Sequence, residues 1–233
     1  MQNEEFWMSW LFENFDLVAS LTLNHAALSF TPIFLGFVIA LVLGWTANRW
    51  LLVRSWIIAG GSILYTIPSL PLFVILPYLL GTRITDERNI IVALTIYALA
   101  ILIRTVADAF AAVPTDAIEA SRAIGYSSWN RFWHVEFPLA GPVLLAGLRV
   151  VSASTIALVS VGAIIGSANL GYLFTNGKQR DFLDMILIGI GASFLIALVF
   201  DIVLVLLGRV LMPWNKRTSL ITNGRRILST KGA

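Results

Sequence analysis

The sequence contains no cysteine, which removes disulfides, zinc-thiolate centres and thiol nucleophiles from consideration. Charge is nearly as scarce: 12% of the 233 residues are Asp, Glu, Lys or Arg, where soluble domains carry about a quarter. With 58% apolar residues and a mean hydropathy of +0.84, there are too few polar side chains to cover the outside of a water-soluble fold. Soluble enzyme folds are therefore excluded. No G-x-x-x-x-G-K-[ST] stretch occurs, so the chain binds no nucleotide through a P-loop. The two histidines, His25 and His134, lie far apart, and neither a metal cluster nor a catalytic constellation is expected. Residues 1–22 lack Lys and Arg and carry Glu4, Glu5, Glu13 and Asp16. Without a basic n-region this is no cleaved signal peptide, and it reads as a retained extracytoplasmic segment.

What is present is an all-α integral membrane pattern. Apolar runs of roughly 20 residues, enough to cross about 30 Å of hydrocarbon, occur near 23–46, 56–80, 89–110, 143–168 and 185–211. Five spans place the termini on opposite sides, and the basic residues choose between them. The net charge of +3 and pI of 9.5 thus mark sidedness rather than nucleic acid. With the N-terminus outside, twelve of the sixteen basic residues fall on the inner side. The chain divides into segment 1–22, a transmembrane domain over 23–211 with a cytoplasmic loop at 111–142, and a basic inner tail over 212–233. Trp7 and Trp10 mark the outer interface; Trp45, Trp50, Trp56 and Trp214 mark the inner one.

The second run carries Pro68, Pro71 and Pro77. Each removes a helix donor and crowds the preceding turn, so this span is kinked or broken and either lines the interior of an assembly or is a structural kink packed by neighbouring helices. In the loop, Pro114, Asp116 and Gly125 frame a short helix whose Ile118, Ala120, Ala123 and Ile124 can face a partner; Ser127 caps a second, which Pro138 stops. Asp201 is the one acid well inside an apolar run. It needs a partner, and Arg104 and Arg149 are the candidates for a structural ion pair. The basic tail from 214 suits anionic lipid or a partner surface.

Glu119-Ala120-Ser121, Gly125 four residues on, Val135-Glu136-Phe137-Pro138 ten after that, and Pro142 and Gly147 beyond resemble the EAA loop of ABC importer permeases. The family pattern reads E-A-A, three residues, G, nine residues, I-x-L-P. Ser121, Val135 and Phe137 replace Ala, Ile and Leu. The resemblance implies a type I ABC importer permease fold, with the EAA helix seated in an ATPase groove and with Glu119, Ala120, Ser121, Gly125 and Pro138 in the coupling loop. Its implied partners are two ATP-binding cassette subunits that bind ATP and Mg, a second permease (identical or a sister chain), an external substrate-binding protein and membrane lipid. The chain itself is then no enzyme and binds no cofactor, and it resides in a prokaryotic inner or plasma membrane.

Tyr65-Thr66-Ile67-Pro68-Ser69-Leu70-Pro71-Leu72 resembles the Q-T-I-P-S-L-A-L segment of osmoprotectant permeases, and 164–171 is similar to their I-G-A-G-G-L-G segment. This likeness implies cargo of the glycine betaine, choline, carnitine or proline type, with Tyr65, Thr66, Pro68, Ser69, Tyr97 and Asn169 as translocation-pathway candidates. Tyr65 in place of Gln, and Ala168-Asn169 in place of two glycines, depart from the pattern. A methionine-like amino-acid importer is the nearest alternative; a secondary transporter or a membrane scaffold are the others.

Overall fold

The computed structural model describes residues 10–214. Its helices are α1 (Phe15–Arg49), α2 (Leu51–Thr66), α3 (Ser69–Leu80), α4 (Glu87–Ala111), α5 (Thr115–Ala123), α6 (Ser128–Arg131), α7 (Phe137–Val159), α8 (Gly171–Gln179) and α9 (Leu183–Leu211). A π-turn, Phe132–Glu136, joins α6 to α7, and a 3-10 segment, Ser160–Ile165, continues α7. Among the described residues there is no strand. α1, α4, the continuous Ser128–Ile165 rod and α9 are each long and apolar enough to cross a membrane, and α2 with α3 makes a fifth crossing if the bent pair is one span. The expectations for residues 1–9, Trp7 among them, and for the tail beyond 214 fall outside the described residues.

α4 forms the centre of the bundle. In its most apolar stretch 56% of residues are buried, against 6% in α9, so α9 offers its apolar surface outward, as a lipid-facing helix does. α1 packs against α4 along Gly36, Ala40 and Gly44, where a Cβ on Gly36 would meet that of Ala98 at 2.6 Å and one on Gly44 would meet Val106 at 2.5 Å. Small residues at four-residue spacing let two membrane helices approach closely. Around that seam lies an inner core of Ala40, Leu102, Val106, Phe110, Phe132 and Leu144. A second core joins Phe73 and Leu76 of α3 to Ile90 and Leu94 of α4, and a third joins Leu21, Ile156, Leu173 and Met185 toward the outer end.

Three expectations change or are sharpened, the broken second span being met as expected. The first membrane-length helix begins at Phe15 rather than at 23. The second span breaks between Thr66 and Ser69 with a bend of 102°. Only Pro68 makes that break. Pro71 lies in the first turn of α3, where no intrahelical donor is needed, and Pro77 is accommodated within the helix. The third change is that Pro138 does not stop the helix that Ser127 caps: α6 runs through the π-turn into α7, with Pro138 at its start. Phe137 N–H reaches back five residues to the Phe132 carbonyl. The wider turn re-spaces the ladder at the point where proline's missing donor would otherwise interrupt it. The fourth span therefore begins well before 143, and the second half of the 111–142 loop is its inner end.

Candidate coupling surface and polar groove

α5 is short because its two ends are chemically specified. Pro114 precedes it with extended backbone, and Asp116 sits in its first turn. At the other end Gly125 takes φ +89°, Gly125 N–H donates to the Arg122 carbonyl at 3.0 Å, and Tyr126 N–H donates to the Ser121 carbonyl at 3.0 Å. This pair of bonds is a Schellman motif, which turns the chain away through a left-handed residue. Ser121 is buried, and its Oγ donates to the Ile118 carbonyl at 2.6 Å. Ile118 packs on the inner core, so of the four apolar and small residues expected to face a partner it faces this chain instead. Glu119, Ala120, Ala123 and Ile124 are exposed, and among the described residues Glu119 makes no ion pair.

The surface rests on a buried hub that sequence reasoning missed. Glu136 accepts from Arg131 Nε at 2.6 Å and from Trp45 Nε1 of α1 at 2.8 Å. The Arg131 and Glu136 side chains are only 11% and 10% exposed. Trp129 and Phe137 pack on Phe132, which Trp45 meets edge-on at 5.2 Å. Glu136 lies inside the motif-bearing stretch, but its partner Trp45 is 91 residues away. The one available signal was that an acid lay among aromatics. Ser127 Oγ accepts from Asn130 N–H at 3.3 Å, as its capping position implied. His134 Nδ1 donates to the Asn130 carbonyl at 2.9 Å, a bond local to the helix.

Of the two candidate partners for Asp201, α7 supplies the real one: Arg149 donates from Nε at 2.5 Å and from Nη2 at 2.8 Å. Arg104 is not that partner. It points to Asp108 on its own helix at 3.8 Å, while Asp108 also takes Arg54 Nη2 of α2 at 2.9 Å. The helical rotation of α4 decides this, because its buried face is taken by α1 and α7.

The pathway candidates separate into two groups. Tyr65, Thr66 and Pro68 are exposed at the α2–α3 break, with Ser69 half-buried beside them. Tyr65 borders a groove of about 340 Å³ that also takes in Ser62, Arg104, Val150 and Ser154. Tyr97 is buried, and its hydroxyl donates to the Ile67 carbonyl, one of the groups freed where α2 stops. Asn169 is wholly buried; its Oδ1 accepts from Gly171 N–H at 2.8 Å and shapes the turn before α8.

That turn is held by α1 in a second arrangement the sequence did not reveal. His25 is fully buried, with Nε2 at 3.0 Å from the Ile156 carbonyl and Nδ1 accepting from Leu170 N–H at 3.3 Å. A carbonyl only accepts and a backbone N–H only donates, so the ring is neutral with its proton on Nε2. Asn24 Nδ2 donates to the Ala168 carbonyl at 2.5 Å and to Glu87 Oε1 at 3.0 Å. Among the described residues no group of three His, Cys, Asp or Glu could hold a metal ion.

A bundle of helices long and apolar enough to cross a membrane several times, with a short exposed helix at one end, defines a multi-pass membrane component. The chain belongs to the family of binding-protein-dependent transport system inner membrane components, whose model matches residues 32–217. It is 31% identical to the osmoprotectant import permease protein OsmW of Salmonella typhimurium over 88% of this chain and 96% of that one. It is also 31% identical to the carnitine transport permease protein OpuCB of Listeria monocytogenes, over 78% and 83% of the two chains. To the glycine betaine/carnitine/choline transport system permease protein OpuCD of Bacillus subtilis it is 26% identical over 83% and 84%. Among solved structures, the inward-facing MetNI methionine ABC transporter superposes with a TM-score of 0.67 at 24% identity, covering 84% of this chain and 96% of that one. An amino acid ABC transporter gives 0.69 at 19%, covering 85% and 96%. At those identities the structures establish a common fold.

Proposed function

We propose that this chain is the permease subunit of an ATP-driven importer of osmoprotectants of the glycine betaine, carnitine, choline or proline type. Two permeases, identical or sister chains, form the pathway; two ATPase subunits that bind ATP and Mg drive it, and an external binding protein delivers the cargo. The observation that carries the coupling half is α5: Glu119, Ala120 and Ile124 are presented outward while Ser121 and Ile118 hold the helix from beneath. An exposed short helix on a rigid base fits a groove on a partner and can transmit its movement. The cargo half is supported by the names of the relatives and by the Tyr65–Leu72 and 164–171 segments.

The test is reconstitution with the cognate ATPase and binding protein in liposomes. ATP-dependent uptake of glycine betaine, carnitine, choline or proline, and none of methionine, is expected. Methionine uptake without osmoprotectant uptake would replace the cargo assignment with the amino-acid one, and uptake that ignores ATP would remove the coupling role.

A further inference from the structure

We infer that the groove between α2, α4 and α7 receives the anionic end of a zwitterionic substrate, with Arg104 as its carboxylate-binding residue. The inference rests on the osmoprotectant reading and narrows it: the favoured cargo carries a carboxylate as well as its ammonium group. Glycine betaine and carnitine meet that description, whereas choline is a bare cation.

Arg104 is the one charged residue among those lining the groove, alongside Ser62, Tyr65 and Ser154. It lies seven residues before the end of α4 at Ala111, and so about 10 Å along the helix from that end. Its side chain is 74% exposed in the single chain. A guanidinium at that depth does not face lipid without large cost, and it belongs against water or another polar group. The described residues leave it largely unoccupied. Asp108 is 3.8 Å away and closer to Arg54, at 2.9 Å. Two arginines share one carboxylate there, and the inner mouth of the groove carries a net positive charge.

Asp201, the acid within α9, and Glu136, at the inner end of the fourth span, are spoken for, because Asp201 binds two nitrogens of Arg149 and Glu136 pairs with Arg131. A cation entering the groove therefore finds no lining carboxylate and meets a like charge. A zwitterion can place its carboxylate in the guanidinium fork, the geometry for which arginine is best suited. Its quaternary ammonium can then rest toward the Tyr65 ring, which is 60% exposed and offers a π face to a cation. Ile58 and Tyr65 border the groove on α2, a run of seven residues and about 10 Å of helix, so both ends of a small zwitterion have a place within it.

The experiment uses the assembled transporter in liposomes, with radiolabelled glycine betaine, carnitine and choline as probes, and compares wild type with Arg104→Gln and Arg104→Lys. Each variant is read against wild type for the same probe, so the binding protein's own preference cancels. Arg104→Gln is expected to raise the choline-to-betaine uptake ratio about tenfold, the loss of one charged hydrogen-bonding partner, at unchanged complex yield. Arg104→Lys should recover part of the difference. An equal loss for all three probes, no change in any, or dissociation of the subunits would overturn the assignment and leave the osmoprotectant reading standing. A wild-type assembly that carries choline and neither zwitterion would also overturn it. Uptake by wild type of none of the three probes, with proline refused as well, would instead remove the osmoprotectant reading, and this assignment with it.

Discussion

The two ends of the bundle solve the problem of polar groups in different ways. At the outer end the polar side chains turn inward on their own chain: His25 and Asn169 are wholly buried and bond to backbone at 156, 170 and 171, and buried Asn89 accepts from Thr82 and donates to the Arg83 carbonyl. Those groups are neutral, with every bond local to the fold. At the inner end a charged pair, Arg131 and Glu136, is buried beneath a surface left open. The outer polar network staples helices together, whereas the inner one is a foundation for something the chain presents. Damage to the first should appear as lost stability, and damage to the second as lost coupling too.

The largest effect is expected at the foundation. Glu136→Ala leaves the Arg131 guanidinium buried without its carboxylate and the Trp45 N–H without an acceptor, a change that costs about 3–5 kcal/mol. Thermal melting of the purified permease should fall sharply and the ATPase should be lost with it. Trp45→Phe, which removes the N–H donor with the pyrrole part of the indole and keeps an aromatic six-membered ring, should cost less, about 1.5–3 kcal/mol for the lost hydrogen bond.

At the outer end His25→Ala strands the Leu170 N–H and the Ile156 carbonyl, at about 1–3 kcal/mol for each unsatisfied group. The comparison of ends predicts a lower melting temperature, while ATPase binding by the folded fraction stays as in wild type. Loss of ATPase binding from folded His25→Ala protein would show that the ends are not independent.

Gly125→Val has the opposite signature. The left-handed conformation costs a side-chain-bearing residue about 1–2 kcal/mol, yet no heavy atom lies within 4 Å of a Cβ placed there, so the strain stays local. Membrane insertion and melting should change little, while ATP-driven transport falls because α5 no longer ends in the same turn. Undiminished transport and complex yield would remove Gly125 from the coupling surface.

The smallest effect is expected between the ends, at Asp201. Both members of its pair with Arg149 are some two-fifths exposed in the single chain. Asp201→Asn keeps an acceptor and should largely preserve the assembled complex, whereas Asp201→Leu should lower its melting temperature. The double change Arg149→Met with Asp201→Leu should recover much of that loss, since removing both partners of an ion pair is milder than removing one. Normal assembly with abolished transport in both single variants would assign the pair to the pathway instead.

Much of this architecture is legible in the sequence where the physics is local. Pro114, Gly125 and Ser127 specify their turns within a few residues, and each turn appears where those residues place it. The broken second span follows from Pro68, but its 102° bend does not, because the angle is set by how α3 packs on α4. Pro138 misleads because a π-turn absorbs it. What depends on helix rotation is not legible: Arg104 and Arg149 are equivalent candidates in the sequence, and only the fold turns Arg149 to Asp201. Glu136 with Trp45 and His25 with the 156–170 backbone join distant residues in the same way. One signal was present and passed over, the small residues at Gly36, Ala40 and Gly44 that mark the α1–α4 seam.

The central claim, that α5 is the surface on which an ATPase seats, can be tested with a thiol probe, because the natural chain has no cysteine and any thiol introduced is unique. A membrane-permeant maleimide should modify the Glu119→Cys variant readily in the permease alone and only slowly once the ATPase is bound. The Ser121→Cys variant, with its side chain buried beneath the same helix, should be slow in both. Equal labelling of Glu119→Cys with and without the bound ATPase would contradict the account.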